Sequence, residues 1–222
     1  MQSLNAQLLA FKSSVFDRAD AATARALCQA EKEAREEAAL AAPLGVGDRV
    51  PDFALKDAEG KMHSLSRELA KGPVFILFFK GGWCPYSTLT LRAWEDVAHD
   101  IRAAGGTILA ISPQKASRAQ QVRENNNVSF PVLIDCQNKL AKAFGVLADV
   151  RPLTREILIR LGCDVSDEND DASWSLPRAA EFMIGPDGVI RMAHVSPVHF
   201  ERLEPQDGLV ALRALSAALA EA

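Results

Sequence analysis

The segment Val74-Phe75-Ile76-Leu77-Phe78-Phe79-Lys80-Gly81-Gly82-Trp83-Cys84-Pro85-Tyr86-Ser87 decides the fold of this chain, because an apolar run passes directly into a helical pattern. The run is apolar on both faces, which is typical of a central strand in a parallel sheet. Apolar residues then recur at helical spacing from Leu91 to Ile101 and predict a helix over about residues 85–103. Residues 107–111 follow as a second strand. A strand, a helix and a strand in this order predict a βαβ unit with a right-handed crossover.

Cys84 lies where the first strand of this unit gives way to the helix. Ligands bind at the carboxyl ends of strands in open α/β sheets. A helix N-terminus favours negative charge, and the thiolate is the reactive form of cysteine. Pro85 suits the first helical position, so Cys84 becomes the N-cap. Ser87 follows one turn later, where its hydroxyl can donate a hydrogen bond to the sulfur anion. The sequence therefore predicts that Cys84 is a redox-active nucleophile.

Composition excludes several classes of protein. The 222 residues carry 25 Lys and Arg against 29 Asp and Glu, a net charge of −4 without a basic block, so we expect no nucleic-acid partner. The longest strongly apolar run has six residues, too short to cross a membrane. Residues 1–16 lack the apolar core of a signal peptide, which predicts a cytoplasmic protein.

The cysteines and histidines give no sign of a metal site. The four histidines do not lie at ligand spacing, and the four cysteines are scattered singly, so neither zinc nor a disulfide framework is predicted. The pattern indicates thiol redox chemistry instead.

The chain divides into a helical extension, residues 1–43, and a globular domain, residues 44–222. Leu4, Leu8, Phe11 and Val15 form one helical stripe, and a second helix is predicted over about residues 20–40. The stripe needs a cover, either the body of the protein or a second copy in a homodimer. On the second helix, we expect i, i+4 ion pairs between Glu31 and Arg35 and between Lys32 and Glu36.

Beyond the βαβ unit, helices and strands continue to alternate. Residues 164–171 hold five carboxylates and are predicted to form a solvated acidic loop without calcium-binding spacing. A hairpin over residues 182–192 and an amphipathic helix over residues 209–219 close the chain.

Six segments carry a resemblance to a known family. They are Val46-Gly47-Asp48-Arg49-Val50-Pro51-Asp52-Phe53, Gly81-Gly82-Trp83-Cys84-Pro85-Tyr86, Ala110-Ile111-Ser112-Pro113-Gln114, Phe130-Pro131-Val132-Leu133-Ile134-Asp135, Ala143-Phe144-Gly145-Val146 and Pro186-Asp187-Gly188-Val189-Ile190-Arg191. Together they resemble the peroxiredoxin-like branch of the AhpC/TSA family, in the thioredoxin-like superfamily. The resemblance implies an α/β, thioredoxin-like fold with a central mixed sheet flanked by helices.

The chain departs from the family in two places. The peroxiredoxin segment Pro-x-x-x-Thr-x-x-Cys corresponds here to Lys80, Cys84 and Ser87, so serine stands at the peroxidatic position. The peroxiredoxin-like branch usually carries Cys-Pro-Tyr-Cys, and this chain keeps only the first cysteine. Ala179 stands where thioredoxin-like relatives have a cis-proline and where peroxiredoxins have an arginine. The adjacent Arg178 is the candidate substitute for that arginine.

The resemblance implies a thiol-based antioxidant oxidoreductase. Cys84 would reduce a peroxide, and a thioredoxin- or glutathione-type thiol would restore it, without a metal or organic cofactor. Ser87, backbone N–H groups and Arg178 would polarise the O–O bond. Because Ser87 cannot form a disulfide, the other candidate resolving cysteines are Cys163 and Cys136. The residues expected to line the substrate pocket are Trp83, Pro85, Tyr86 and Ala179.

Two other functions stay open at this point. The Cys-Pro-Tyr-Ser motif also suits monothiol exchange with a disulfide substrate, which needs only a reactive thiolate and an open face. Alternatively, the chain is a non-catalytic peroxiredoxin-like protein for binding or assembly. The sequence leaves open whether Ser87 is natural or replaces a cysteine.

Overall fold

The structure, a computed structural model, describes residues 2–220. The helices are α1 (Leu4–Arg18), α2 (Ala21–Leu40), α3 (Leu65–Leu69), α4 (Pro85–Ala103), α5 (Ala116–Asn126), α6 (Lys139–Ala143), α7 (Pro152–Arg160), α8 (Val165–Asn169) and α9 (Pro205–Ala220). The strands are β1 (Ala54–Lys56), β2 (Met62–Ser64), β3 (Val74–Phe78), β4 (Thr107–Ser112), β5 (Val132–Ile134), β6 (Leu147–Asp149), β7 (Ser175–Pro177), β8 (Ala180–Ile184) and β9 (Ile190–Val195).

The central sheet has five strands in the order β5-β4-β3-β8-β9. β3 runs parallel to β4 and antiparallel to β8, and β9 pairs antiparallel with β8. Phe78, at the end of β3, lies between Ile111 of β4 and Ala180 of β8. The predicted βαβ unit and hairpin are both present, and the mixed sheet flanked by helices confirms the predicted fold class.

Side chains of β3 alternate between two buried layers, because successive residues of a strand point to opposite faces. On one side, Phe75 contacts Trp94 of α4 with ring centroids 5.0 Å apart. On the other side, Phe78 lies against Phe144 and Phe182, at 5.2 and 6.2 Å. Both layers hold β3 rigidly, so the residues that follow this strand start from a fixed position.

The N-terminal hairpin, which we define as α1 and α2, docks on the body of the protein. Leu4 and Leu8 are 2% and 0% exposed and belong to a cluster with Val198 and Phe200. The carboxylate of Glu204 accepts hydrogen bonds from the first backbone N–H groups of α1, those of Leu4 (2.9 Å) and Asn5 (2.8 Å). The body therefore covers the apolar stripe of α1, which is one of the two covers that the sequence left open.

Three features differ from the sequence predictions. The segment predicted as a solvated acidic loop contains α8. Asp164 caps this helix by accepting from the backbone N–H of Ser166 (2.9 Å), and Val165, its first residue, is fully buried. A two-stranded antiparallel sheet, β6 with β7, was not predicted.

The predicted Glu31–Arg35 ion pair is also wrong, since Glu31 binds Lys12 of α1 at 2.7 Å and Arg35 binds Glu201 at 2.6 Å. The Lys32–Glu36 pair is present at 3.8 Å.

Within residues 2–220, no helix is long and apolar enough to span a membrane.

Candidate functional site

Cys84 is the N-cap of α4, and Pro85 is the first helical residue, as predicted. The side chain of Cys84 is 5% exposed, and that of Ser87, one turn along, is 3% exposed. The predicted hydrogen bond between them stays a prediction. Cys84 therefore lies at the N-terminus of α4, the end of a helix that favours negative charge.

Residues 81–84 form a tight loop that brings the chain from β3 into α4. Gly81 has φ +154°, and a Cβ at this position would lie 2.5 Å from Nε1 of Trp83. The backbone N–H of Gly82 donates to Oε1 of Gln114 at 2.8 Å, and Gln114 in turn donates to Glu168 of α8 at 2.8 Å. Gln114 is 1% exposed, so its two hydrogen bonds hold the loop and α8 in a fixed relation.

A cavity of about 330 Å³ opens over Cys84. One wall comes from the N-terminal hairpin, and a second comes from α7 and the C-cap residue that follows it. The apolar residues of these two walls are Phe11, Val15, Phe16, Leu27, Ala30, Ala34, Ile157, Leu158 and Leu161. The cavity therefore encloses the sulfur with mostly apolar side chains that lie far from Cys84 in the sequence.

The residues predicted to line the substrate pocket all border this cavity: Trp83, Pro85, Tyr86 and Ala179. The Tyr86 ring stacks edge-on against Phe11 of the hairpin, with centroids 5.1 Å apart. Burial, aided by the charge of Cys84, raises the pKa of Tyr86 to about 12, so its hydroxyl keeps its proton. Whether these residues contact a substrate stays a prediction.

Arg178 borders the same cavity, but its guanidinium is already engaged. It donates to Glu37 of α2 at 2.9 Å and to the carbonyl of Leu147 at 3.2 Å. This arginine therefore links the hairpin to β6. That it polarises the O–O bond of a peroxide stays a prediction.

The cavity brings together two cysteines, Cys84 and Cys163. Cys163 is half-buried, and burial, followed by the charges of Glu168 and Cys84, raises its pKa to about 12. Cys136, the other predicted candidate, is exposed and does not border the cavity, and Cys28 on α2 is exposed as well. The structure thus separates the two candidate resolving cysteines by position.

Sequence reasoning missed the cationic side of the site. The Lys80 ammonium donates to Nδ1 of His199 at 3.1 Å, and both side chains border the cavity. Beneath them, the buried Arg202 and Glu181 face each other at 3.7 Å, and burial raises the pKa of Glu181 to about 7. The position of Lys80 directly after an apolar strand could have marked it as a candidate site residue. No sequence pattern linked Lys80 to His199.

Comparison with known proteins finds relatives among peroxiredoxins and thiol-disulfide oxidoreductases. A sequence model of the AhpC/TSA family matches residues 46–193. Peroxiredoxin Q, a chloroplastic protein of Suaeda salsa, is 30% identical over 113 residues, which are 51% of this chain and 52% of the plant protein. Thiol-disulfide oxidoreductase ResA of Geobacillus thermodenitrificans is 31% identical over 104 residues, 46% of this chain and 59% of ResA.

Among solved structures, peroxidoxin BcpB from Mycobacterium tuberculosis has a TM-score of 0.62 at 23% identity, covering 78% of this chain and 98% of that chain. This likeness supports the thioredoxin-like fold. The chain spans about half the length of the plant peroxiredoxins that it matches.

Proposed function

The chain belongs to the AhpC/TSA family, and from this premise we propose that it is a thiol peroxidase whose nucleophile is Cys84. The thiolate attacks one peroxide oxygen, the O–O bond breaks, and sulfur loses two electrons to become a sulfenic acid. The other oxygen leaves as an alcohol or water after it gains a proton. The enclosed position of Cys84 at the N-terminus of α4 is the observation that carries this proposal.

The site offers donors for the developing negative charge. The first turn of α4, which follows Cys84 directly, has backbone N–H groups without an intrahelical partner. Hydrogen bonds aimed at a developing charge are worth most where water is excluded. We propose that Ser87 and Arg178 assist, as the family resemblance implies. An external thioredoxin- or glutathione-type thiol then supplies the electrons that return the oxidised enzyme to its reduced state.

The four cysteines are free, which suits a protein of a reducing compartment such as the cytoplasm. The predicted homodimer stays a prediction.

The apolar walls favour an organic hydroperoxide over hydrogen peroxide. Burying one aromatic or branched apolar group contributes about 1.5–3 kcal/mol. If this contact with the cavity is made in the transition state, it corresponds to about a tenfold or larger increase in rate. We expect cumene hydroperoxide to oxidise the reduced protein at least about tenfold faster than hydrogen peroxide, measured by stopped flow. Glutathione serves as the reference thiol, and the same ratio for protein and glutathione would contradict a cavity that binds the organic part.

We propose Cys163 as the internal resolving cysteine, because it borders the cavity with Cys84. Its pKa of about 12 means that little thiolate is present at neutral pH. Disulfide formation after oxidation should therefore be slow and should rise about tenfold per pH unit between neutral and mildly alkaline pH. Peptide mapping by mass spectrometry measures the Cys84–Cys163 link. Cys163→Ser should abolish it and Cys136→Ser should not; the reverse pattern would overturn the assignment.

The relationship to ResA favours one second candidate, thiol-disulfide exchange. The burial of Cys84 counts against it, because a protein disulfide has to reach a sulfur that is only 5% exposed. The insulin reduction assay separates the two functions. Turnover of insulin at a rate comparable to peroxide reduction would favour exchange, and negligible turnover supports the peroxidase.

A further inference from the structure

Lys80 lies just beyond the end of β3, four residues before Cys84, and its side chain reaches the cavity that encloses the sulfur. The position corresponds to proline in the peroxiredoxin motif. Lys80 is half-buried as a residue, and its ammonium group donates to Nδ1 of His199 at 3.1 Å. A lysine placed here adds a proton donor that the family motif does not contain.

The charge of Lys80 has an unusual set of neighbours. Within residues 2–220, no carboxylate lies within ion-pair distance of Lys80. Three carboxylates border the cavity, and each has another partner: Glu31 binds Lys12 at 2.7 Å, Glu37 binds Arg178 at 2.9 Å, and Asp149 accepts from the hydroxyl of Ser175 at 2.7 Å. Lys80 therefore faces the cavity together with Cys84 and, among residues 2–220, without a carboxylate that pairs with it.

The surroundings of Lys80 also lower the pKa of its ammonium group. Burial lowers the pKa of Lys80 to about 8, the charge of Cys84 opposes this shift, and the charges of Arg202 and Arg178 add to it. His199 is neutral, because the charge of Lys80 and burial hold its pKa well below the usual value, so its ring nitrogen can accept from the ammonium. A donor that titrates near neutral pH suits general acid catalysis.

We propose that Lys80 is a catalytic residue that protonates the leaving oxygen when Cys84 attacks a peroxide. The inference rests on the peroxidase function proposed above. The thiolate forms the S–O bond with the distal oxygen, the O–O bond breaks, and its electron pair goes to the alkoxide. Lys80 gives that oxygen a proton and becomes a neutral amine, which regains a proton from water. His199 is a positioning residue that directs the ammonium into the cavity.

The test follows single-turnover oxidation of Cys84 in wild type, Lys80→Met and Lys80→Arg. tert-Butyl hydroperoxide has an alkoxide leaving group that needs a proton, whereas peracetic acid releases a carboxylate that does not. We expect Lys80→Met to react on the order of a hundredfold more slowly with the hydroperoxide and nearly normally with the peracid. Lys61→Met, at an exposed lysine, is the matched control for charge.

The pH profile separates proton donation from charge alone. With tert-butyl hydroperoxide, the wild-type rate should fall as pH rises through about 8, because Lys80 then loses the proton that it donates. Lys80→Arg keeps a positive charge at every accessible pH, so the fall should disappear and only part of the rate should return.

The outcomes distinguish this inference from the proposed function. Wild type that fails to react with either peroxide overturns the peroxidase and, with it, the role of Lys80. Wild type that reacts rapidly while Lys80→Met keeps its rate and its pH profile overturns the role of Lys80 alone. An equal loss with hydroperoxide and peracid also overturns proton donation, because it indicates general damage to the site.

Discussion

Replacement of Cys84 by serine is expected to reduce peroxide consumption by on the order of a thousandfold or more, because removing the nucleophile of a concerted site removes most of its catalysis. A serine hydroxyl is not ionised at neutral pH and cannot be oxidised as sulfur can. The fold should persist, since serine is a favoured N-cap and Cys84 caps α4. Steady-state peroxide consumption with a thiol donor measures the loss, and thermal unfolding checks the fold.

Cys28→Ser is the matched control for Cys84→Ser, because Cys28 is exposed on α2 and its loss removes a thiol without touching the cavity. It should keep full activity. If Cys84→Ser retains more than about a tenth of the wild-type rate while folded, another cysteine is the nucleophile and the proposed function of Cys84 is wrong.

Shortening Leu8 to alanine is expected to open the cavity. Leu8 is fully buried where α1 meets the body, and a buried leucine-to-alanine change costs about 2–5 kcal/mol. If the N-terminal hairpin undocks as a unit, its opening should become about a hundredfold to a thousandfold more frequent. Bulky maleimides should then alkylate Cys84 faster by a similar factor, as measured by mass spectrometry under native conditions.

Leu9→Ala is the matched control, since the neighbouring side chain is 52% exposed and its truncation leaves the docking surface intact. Alkylation of Cys84 should change by less than about twofold in this variant. Equal rates in Leu8→Ala, Leu9→Ala and wild type would show that the reagent reaches Cys84 by a path that the hairpin does not cover.

Local patterns in the sequence were sufficient to predict the βαβ unit and the position of Cys84 at the N-terminus of its helix. The apolar run from Val74, the helical spacing after Pro85 and the N-cap are all set by residues within one or two turns of each other. Such short-range preferences act before any tertiary contact forms, so they can be recognised in a single sequence.

The surroundings of Cys84 could not be predicted in the same way, because distant residues create them. His199 meets Lys80 across 119 positions of sequence, and Glu204 caps α1 across about 200. The prediction of a Glu31–Arg35 ion pair was wrong for the same reason. Glu31 binds Lys12 and Arg35 binds Glu201, and both contacts join different elements of the fold. Local spacing gives weak ion pairs of a few tenths of a kcal/mol, which better-placed partners readily displace.

The acidic segment shows how burial overrides composition. Five carboxylates over residues 164–171 predicted a solvated loop, yet Val165 anchors the short helix α8 by complete burial. The carboxylate of Glu168 then faces inward to accept from Gln114 at 2.8 Å. The sequence signal for this helix was Val165, an apolar residue within a charged run. Its burial could not be predicted without the tertiary structure.

The measurement that most directly tests the central claim mixes reduced protein with an organic hydroperoxide in a stopped-flow instrument. Tryptophan fluorescence follows the reaction, because Trp83 borders the cavity, and dimedone trapping with mass spectrometry locates the sulfenic acid. We predict fast, saturable oxidation confined to Cys84. Oxidation no faster than that of a free thiol, or spread over the exposed Cys28 and Cys136, would contradict it.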